Sequence, residues 1–396
     1  TGDSQNAGID GAVSIYSNIT TNGGNLTATG KTSVNGFAGL FVGSLQASIN
    51  TGNGSINFTG TSSGNGTDSR GIYIGGTLTT TLGNITLTGN STNVNAAGIT
   101  IDNQITSNSG SITFTGTSAG NGISARGINV VSSVSTTSGN ITLTGNSTNA
   151  NGNAAGIRIN DQITSNSGSI TFTGTSAGNG NAARGISVQD NVSTDSGNIT
   201  LTGNNTNANG IAEGIFSNRA ITSNAGSIAL TGTSAGNGNA ARGISVQGNV
   251  STDSGNITLT GNNTNANGIA EGIFSNRAIT SNAGNITLIG SSNSANGGVN
   301  IGIANITANS TSANVNISSN VGNIVLGNIQ DSGNLTVTSA GTITQNTGTS
   351  ITVANNANFT TTLANTGNVT VTNNNANGTV LGNSTIGGTF TLTSAG

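Results

Sequence analysis

The stretch GNITLTGNNTNANGIAEGIFSNRAITSNA occurs twice, at 197–225 and again at 255–283. Its opening residues, GNITLTG, alternate polar and aliphatic side chains with the period of a half-buried strand, and the motif recurs along most of the chain. The glycines that open these units are Gly54, Gly83, Gly110, Gly139, Gly168, Gly197, Gly226, Gly255 and Gly284, a step of about 29 residues. A fixed period of that size predicts a solenoid, in which each repeat buries its apolar face against its neighbours. Two unit types alternate, GNITLTGN and GSITFTGT, so the larger repeat is a pair. Segments 168–225 and 226–283 differ at three positions only: Thr171/Ala229, Phe172/Leu230 and Asp190/Gly248.

Each unit reads as three short strands separated by Gly/Asn/Ser turns: GNITLTG, then a segment such as 156–159 (GIRI), then a brief one such as 162–164 (QIT). Glycine, asparagine and β-branched residues disfavour helix throughout. The expected fold is all-β: a right-handed parallel β-helix, or β-solenoid, with about 29 residues and three short strands per rung. Stacking the rungs gives a core column of Ile85, Ile112, Ile141, Ile170, Ile199, Ile228, Ile257 and Ile286. Beside it runs a second column that includes Leu87, Phe114, Leu143 and Phe172. Residues 1–283 read as regular paired rungs and 284–396 as a less regular continuation of the same helix, because the turn lengths change after Gly284.

A column ahead of the second strand carries charge: Arg184, Glu213, Arg242 and Glu271 alternate in sign, and Asp190 falls one rung below Arg219. Like charges stacked at strand spacing are penalised, so the alternation reads as a device that fixes register. Phe216 and Phe274 take positions that the template turns outward, with Ser217 and Ser275 inward. Either the strand shifts by one residue or the rings lie on the surface.

Composition excludes much chemistry. The chain has no Cys, His, Pro, Met or Trp, and charged residues make up 5% of it. Disulfides, thiolate or imidazole metal sites and histidine acid–base catalysis are therefore out of reach. So weak a charge density gives no footprint for nucleic acid. No apolar run is long enough to span a membrane as a helix. No GGxGxD calcium rung occurs, and no metal or cofactor is expected. Glu213 and Glu271, two rungs apart beside Arg184 and Arg242, imitate the paired carboxylates of a polysaccharide-cleaving β-helix. The ladder accounts for them more simply, and no enzyme is expected.

The run at 333–345, GNLTVTSAGTITQ, together with the GNITLTG rungs, resembles the repeats of filamentous-haemagglutinin-like large exoproteins and related bacterial β-strand-repeat surface proteins. That resemblance implies a right-handed parallel β-helix, an extracellular or cell-surface location, and an adhesin or fibre role with cell-surface glycans or other cells as partners. The secretion domain of such exoproteins carries Asn-Pro motifs, and this chain has no Pro.

The terminal GGTFTLTSAG at 387–396 matches the first strand of the second unit type, and the opening TGDSQNAGIDGAVSIYSNITTNG resembles the remainder of that unit. Subunits are accordingly expected to stack head to tail as a homopolymer, with Thr1, Gly2, Ile9, Phe390, Leu392 and Gly396 at the seam. The alternative is an excerpt of a longer solenoid, with any leader removed or lying outside it. The function expected is a fibre-forming extracellular subunit; the alternatives are the rod-like stalk of a larger adhesin, and an ice-binding protein that uses the outward Thr-x-Thr pairs. Asn18, Asn84, Asn90, Asn146, Asn204 and Asn262 lie in Asn-x-Ser/Thr sequons and are candidate glycosylation acceptors.

Overall fold

The computed structural model describes residues 2–4, 10–43, 47–92, 96–120, 122, 125–148, 152–207, 209–265, 270–294, 297–362, 366–373, 380–381 and 384–394. These residues form strands, turns and no helix, and every strand pairing among them is parallel. The chain divides into two compact units, Thr1–Asn207 and Ala208–Gly396. Each unit is a β-solenoid with three strands per turn, and the strands stack along three faces.

Face A is built from seven-residue strands such as Ile85–Ser91, Ile112–Ser118 and Ile141–Ser147 in the first unit and Ile228–Ser234 and Ile257–Asn263 in the second. Face B carries strands such as Arg126–Val130 and Ala155–Ile159, and face C the three-residue strands such as Val134–Thr136 and Ile163–Ser165. Register is strict. Ile112 lies beside Ile141, a step of 29 residues, with Thr113 beside Thr142, Thr115 beside Thr144 and Gly116 beside Gly145.

The alternation has a simple cause. Successive strand side chains point to opposite faces, so Ile and Leu or Phe go in where Thr goes out. In the first unit Ile85, Ile112, Ile141, Ile170 and Ile199 form one column and Leu87, Phe114, Leu143 and Phe172 the next. In the second unit Ile228, Ile257 and Ile286 are aligned likewise. All of these are at most 1% exposed. Face B adds Ile128, Ile157 and Ile186, and face C adds Val134, Ile163 and Val192, all completely buried. Each such aliphatic residue contributes about 1.5–3 kcal/mol on leaving water.

One corner of the coil has no room for side chains. Gly89, Gly116, Gly145 and Gly174 on face A lie against the backbone of Gly98, Gly127, Gly156 and Gly185 at the start of face B. A Cβ at Gly145 would sit 2.6 Å from Ile157 Cγ1 and closer still to the Gly156 carbonyl oxygen. The second unit repeats the contact with Gly232 on Gly243 and Gly261 on Gly272. The two faces therefore meet main chain to main chain at this corner.

Buried hydroxyls and exposed amides tie turn to turn. Ser165 Oγ donates to the Gly139 carbonyl one turn away at 3.1 Å and accepts the Gly168 N–H at 2.9 Å. Thr194 does the same with Gly168 and Gly197. Along the opening of face A, Asn84 Oδ1 accepts the Ser111 N–H, Asn140 Oδ1 that of Ser169, Asn256 Oδ1 that of Asn285 and Asn285 Oδ1 that of Asn314, each at 2.8 Å. The buried hydroxyls of Ser165 and Thr194 are thereby satisfied within the stack.

From Gly284 onward the coil tightens. Val315 pairs with Leu335 after 20 residues, Ile324 with Ile343 after 19 and Ile329 with Ile351 after 22. The three faces persist. Asp331 takes the inward polar position of face C here and accepts the N–H groups of Gly333 at 2.9 Å and Val315 at 3.1 Å. Burial raises its carboxyl above the ordinary carboxylate range, and these two donors oppose the shift.

Candidate functional site

Face B gathers aromatic and charged side chains on its outer side. In the first unit one outward column runs Ser14, Phe41, Tyr73, Thr100, Asn129, Arg158 and Ser187, each beside the next. A second column places Arg126, Ala155 and Arg184 in register. Two clusters arise from these columns.

The first is aromatic. The rings of Phe41 and Tyr73 stack with centroids 5.1 Å apart, and Tyr16 packs on Phe41 at 5.6 Å. Tyr16 donates its hydroxyl to Asp10 Oδ2 at 2.6 Å. The Arg70 guanidinium lies 4.8 Å from the Tyr73 ring centre and pairs with Asp68 at 3.0 Å. Gly75 makes space for the Tyr73 ring, since a Cβ there would meet Tyr73 Cε1 at 2.8 Å. Asp10, Phe41, Asp68, Arg70 and Tyr73, with Gly36 and Ala38, line a recess of about 270 Å³. Burial first, and hydrogen bonding with Asp102 second, push the Tyr73 phenol from 10.0 up to about 12. The neutral phenol is favoured in the fold. Its contribution to stability is present in full below about pH 10 and is lost as pH rises through about 12. The chain has two tyrosines, so ultraviolet titration resolves them. Tyr73 is expected to ionise near 12, with that step absent in Tyr73→Phe; ionisation of Tyr73 near 10 would contradict this environment.

The second cluster is cationic. Arg126, Arg158 and Arg184 line a pocket of about 300 Å³ with Asn153, Ala155, Ala182, Ser187 and Gln189. Arg158 Nε donates to Asn160 Oδ1 at 2.7 Å, and Asn160 Nδ2 in turn donates to Asn129 Oδ1 at 3.3 Å. Burial, then repulsion from Arg158, draws Arg126 down to about 10, and burial with repulsion from Arg184 lowers Arg158. Sequence reasoning missed this cluster. Arg158 stands in a different column from Arg126 and Arg184, so the charge column alone does not reveal that the turn between them supplies a third cation.

In the second unit the charge ladder has another character. Glu213, Arg242 and Glu271 are register neighbours. Arg242 Nε forms an ion pair with Glu271 Oε2, and its guanidinium lies 3.9 Å from the Phe274 ring centre. Glu271 Oε1 accepts a hydrogen bond from Asn300 Nδ2 at 2.8 Å. Glu213 and Glu271 are 5% and 3% exposed, so these carboxylates are packed among ladder partners. Asp190 caps its own turn through the Asn191 N–H at 2.6 Å, and Arg219 Nη1 donates to the Asn218 carbonyl at 3.2 Å.

Phe216 and Phe274 are resolved without any strand slip. Each pairs in register with Ser245, while Ser217 and Ser275 pair with Val246 and are completely buried. The inward hydroxyls are satisfied locally: Ser217 Oγ donates to the Arg219 carbonyl at 2.9 Å and Ser275 Oγ to that of Arg277 at 3.0 Å. The rings point outward; Phe216 is covered to 8% exposure and Phe274 is half-buried.

The expected seam changes phase. Phe390 and Leu392 lie in the strand Phe390–Ser394, which pairs with Val369–Asn373 on face B, not at the face A position that the sequence match assigned. Face A of that turn is supplied by Val380–Leu381 and a bridge from Thr360 to Thr385. A short alternating segment such as TFTLT fits any face, and the shortened turns decide which one it reaches. Gly2 pairs with Gly30 on face A. Thr1, Ile9 and Gly396 lie outside the described residues.

The remaining candidates are surface features. Thr142/Thr144 and Thr171/Thr173 stand in register on the outer side of face A. Of the sequon asparagines, Asn18, Asn84 and Asn90 are exposed, and Asn146, Asn204 and Asn262 are half-buried. Among the described residues no three His, Cys, Asp or Glu side chains gather as a metal ion would need, and no helix is long and apolar enough to cross a membrane. No protein-family model and no curated protein sequence matches this chain, so its functional reading rests on this geometry.

Proposed function

We propose that the chain is an extracellular structural protein, a β-solenoid that builds or extends a surface fibre by stacking end to end with further copies. The observation that supports this reading is repetition: aliphatic columns, glycine corners and hydroxyl ladders recur turn after turn in the first unit and in the regular turns of the second, and the three faces persist through the tighter turns that follow. Parallel pairing that already joins one turn to an equivalent turn is the same contact that joins one copy to another, and such a heterologous contact does not close. Electron microscopy of the purified chain tests it. Long filaments of constant width are expected, with the strand repeat of about 4.8 Å continuing unbroken along them. A population that stays as single particles at every concentration overturns self-assembly.

One observation favours a second reading, an adhesin stalk that contacts cell-surface glycans. The stacked Phe41 and Tyr73 rings beside Asp10, Asp68 and Arg70 combine an apolar platform with polar groups, the composition that suits a sugar face and its hydroxyls.

A further inference from the structure

Aromatic residues make up 3% of the chain, yet both of its tyrosines stand in one cluster on the outer side of face B in the first unit. The backbone beneath fixes where the rings lie. A Cβ at Gly43 would sit 2.7 Å from Tyr16 Cδ1, and one at Gly75 2.8 Å from Tyr73 Cε1, so each ring rests over a glycine. Phe41 is held between the two rings. A recess opens beside them because the adjoining column carries small residues. Gly11 and Ala38 are register neighbours, and Ala38 and Arg70 each stand two residues ahead of the pair Leu40 and Ile72. Arg70 closes the far end of the recess. Asp10 marks the near end, two turns or about 10 Å away along the axis.

Negative charge is in excess around this recess. Arg70 is matched by Asp68 at 3.0 Å. Asp102, on the turn after Tyr73, hydrogen-bonds the Tyr73 hydroxyl. Asp10 takes the Tyr16 hydroxyl on Oδ2 at 2.6 Å and keeps Oδ1 for another donor. Among the described residues neither Asp10 nor Asp102 forms an ion pair. The next arginine along the column, Arg126, lies two turns beyond Arg70. The fold also shows what such surroundings accept. At the far end the Arg70 guanidinium lies 4.8 Å from the Tyr73 ring centre and is paired with a carboxylate. Ring and carboxylate together make a seat for a cation. Asp10 with Tyr16 and Phe41 repeats that combination at the near end, where the chain supplies no cation of its own.

We propose that the recess binds a protonated amino sugar, with its ammonium on Asp10 and the apolar side of its ring against Phe41 and Tyr16. The inference rests on the glycan-contact reading above and narrows it to one class of sugar. An ammonium donates up to three hydrogen bonds, which suits the open Asp10 oxygen, and is drawn to an aromatic ring as well. A carboxylated or sulfated sugar meets the same carboxylates as repulsion. The volume of about 270 Å³ lies at the small end of ligand sites and suits a single sugar unit. The Asp68–Arg70 pair offers an acceptor and a donor to the ring hydroxyls.

Calorimetric titration of the whole chain at low salt tests the site with four probes: a glucosamine trisaccharide, its N-acetylated counterpart, a glucose trisaccharide of the same linkage, and ethanolamine at matched ionic strength. The glucosamine trisaccharide is expected to bind at one site per chain, at least tenfold tighter than either uncharged trisaccharide and tighter than ethanolamine. Its affinity should fall as salt rises. Asp10→Asn keeps an acceptor for the Tyr16 hydroxyl. It is expected to weaken glucosamine binding at least tenfold and to leave the N-acetylated probe as it was. Asp253→Asn, at an exposed aspartate of the second unit, leaves all affinities unchanged. Circular dichroism confirms that both variants fold. Equal affinity for charged and uncharged trisaccharides, or an Asp10→Asn variant that binds like the parent, overturns the ammonium site and leaves the glycan-contact reading standing. Absence of binding to all three saccharides overturns both. Ethanolamine binding as tightly as the glucosamine trisaccharide overturns the assignment to a sugar.

Discussion

Gly145→Ala should destabilise the first unit by about 3 kcal/mol or more, although it adds a single methyl group. The new Cβ would be driven into the Gly156 carbonyl, with Ile157 Cγ1 only 2.6 Å away, and both neighbours are parts of a stacked ladder that has no slack. Main chain cannot rotate aside as a flexible side chain does. Relief therefore requires face A and face B to separate, which strains the pairings of Gly145 with Gly116 and Gly174 on either side. Urea denaturation of the variant measures the effect. Thr144→Ala, on the adjacent outward position, serves as the comparison and should change stability by less than about 0.5 kcal/mol. A Gly145→Ala variant that unfolds within about 1 kcal/mol of the parent would show that the corner is looser than described.

Phe172→Ala should cost about 3–5 kcal/mol, the range for emptying a buried aromatic site. Phe172 is completely buried and is stacked between Leu143 and Leu201. The gap left by alanine is bounded above and below by turns fixed through backbone hydrogen bonds, so the walls cannot collapse into it. Phe172→Leu should cost less than about 1.5 kcal/mol. The chain supplies its own precedent, because the nearly identical segment 226–283 carries Leu230 at the matching place. Measured side by side, a large loss for alanine and a small one for leucine identifies cavity formation as the cause. Equal losses for both would contradict it.

The strand pattern of face A was legible because period-2 alternation of Ile and Leu with Thr, repeated at a constant step, admits one registration only. Ile141 and Leu143 are in and Thr142 and Thr144 out for the same reason in every turn. The glycine corner was not legible. Gly145 and Gly156 stand in different strands, and nothing in a one-dimensional pattern tells a glycine required for contact from one that merely turns the chain. Phe216 escaped for a related reason: an aromatic residue at an outward position conflicts with the hydrophobic pattern, and only the register with Ser245 settles which way it points. Arg158 shows the limit of reading columns singly, since a pocket collects residues from neighbouring columns. The segment around Phe390 was assigned to the wrong face because its alternation carries no information on how many residues the preceding turns consume.

The tightened turns have a consequence for how such a chain can change. Seven residues link Ser147 to Ala155 in the first unit, and in the second three link Ser339 to Ile343 and two link Val321 to Ile324, yet in each case the strand of face A hands over to a strand of face B. Gly322, with φ of 94°, makes the shortest of these links feasible. Cohesion runs lengthwise from coil to coil, while the rim is free to lengthen or contract. Insertions at that rim can therefore add loops, epitopes or binding segments at regular axial intervals without renegotiating the interior, and deletions there can slim the coil without ending it.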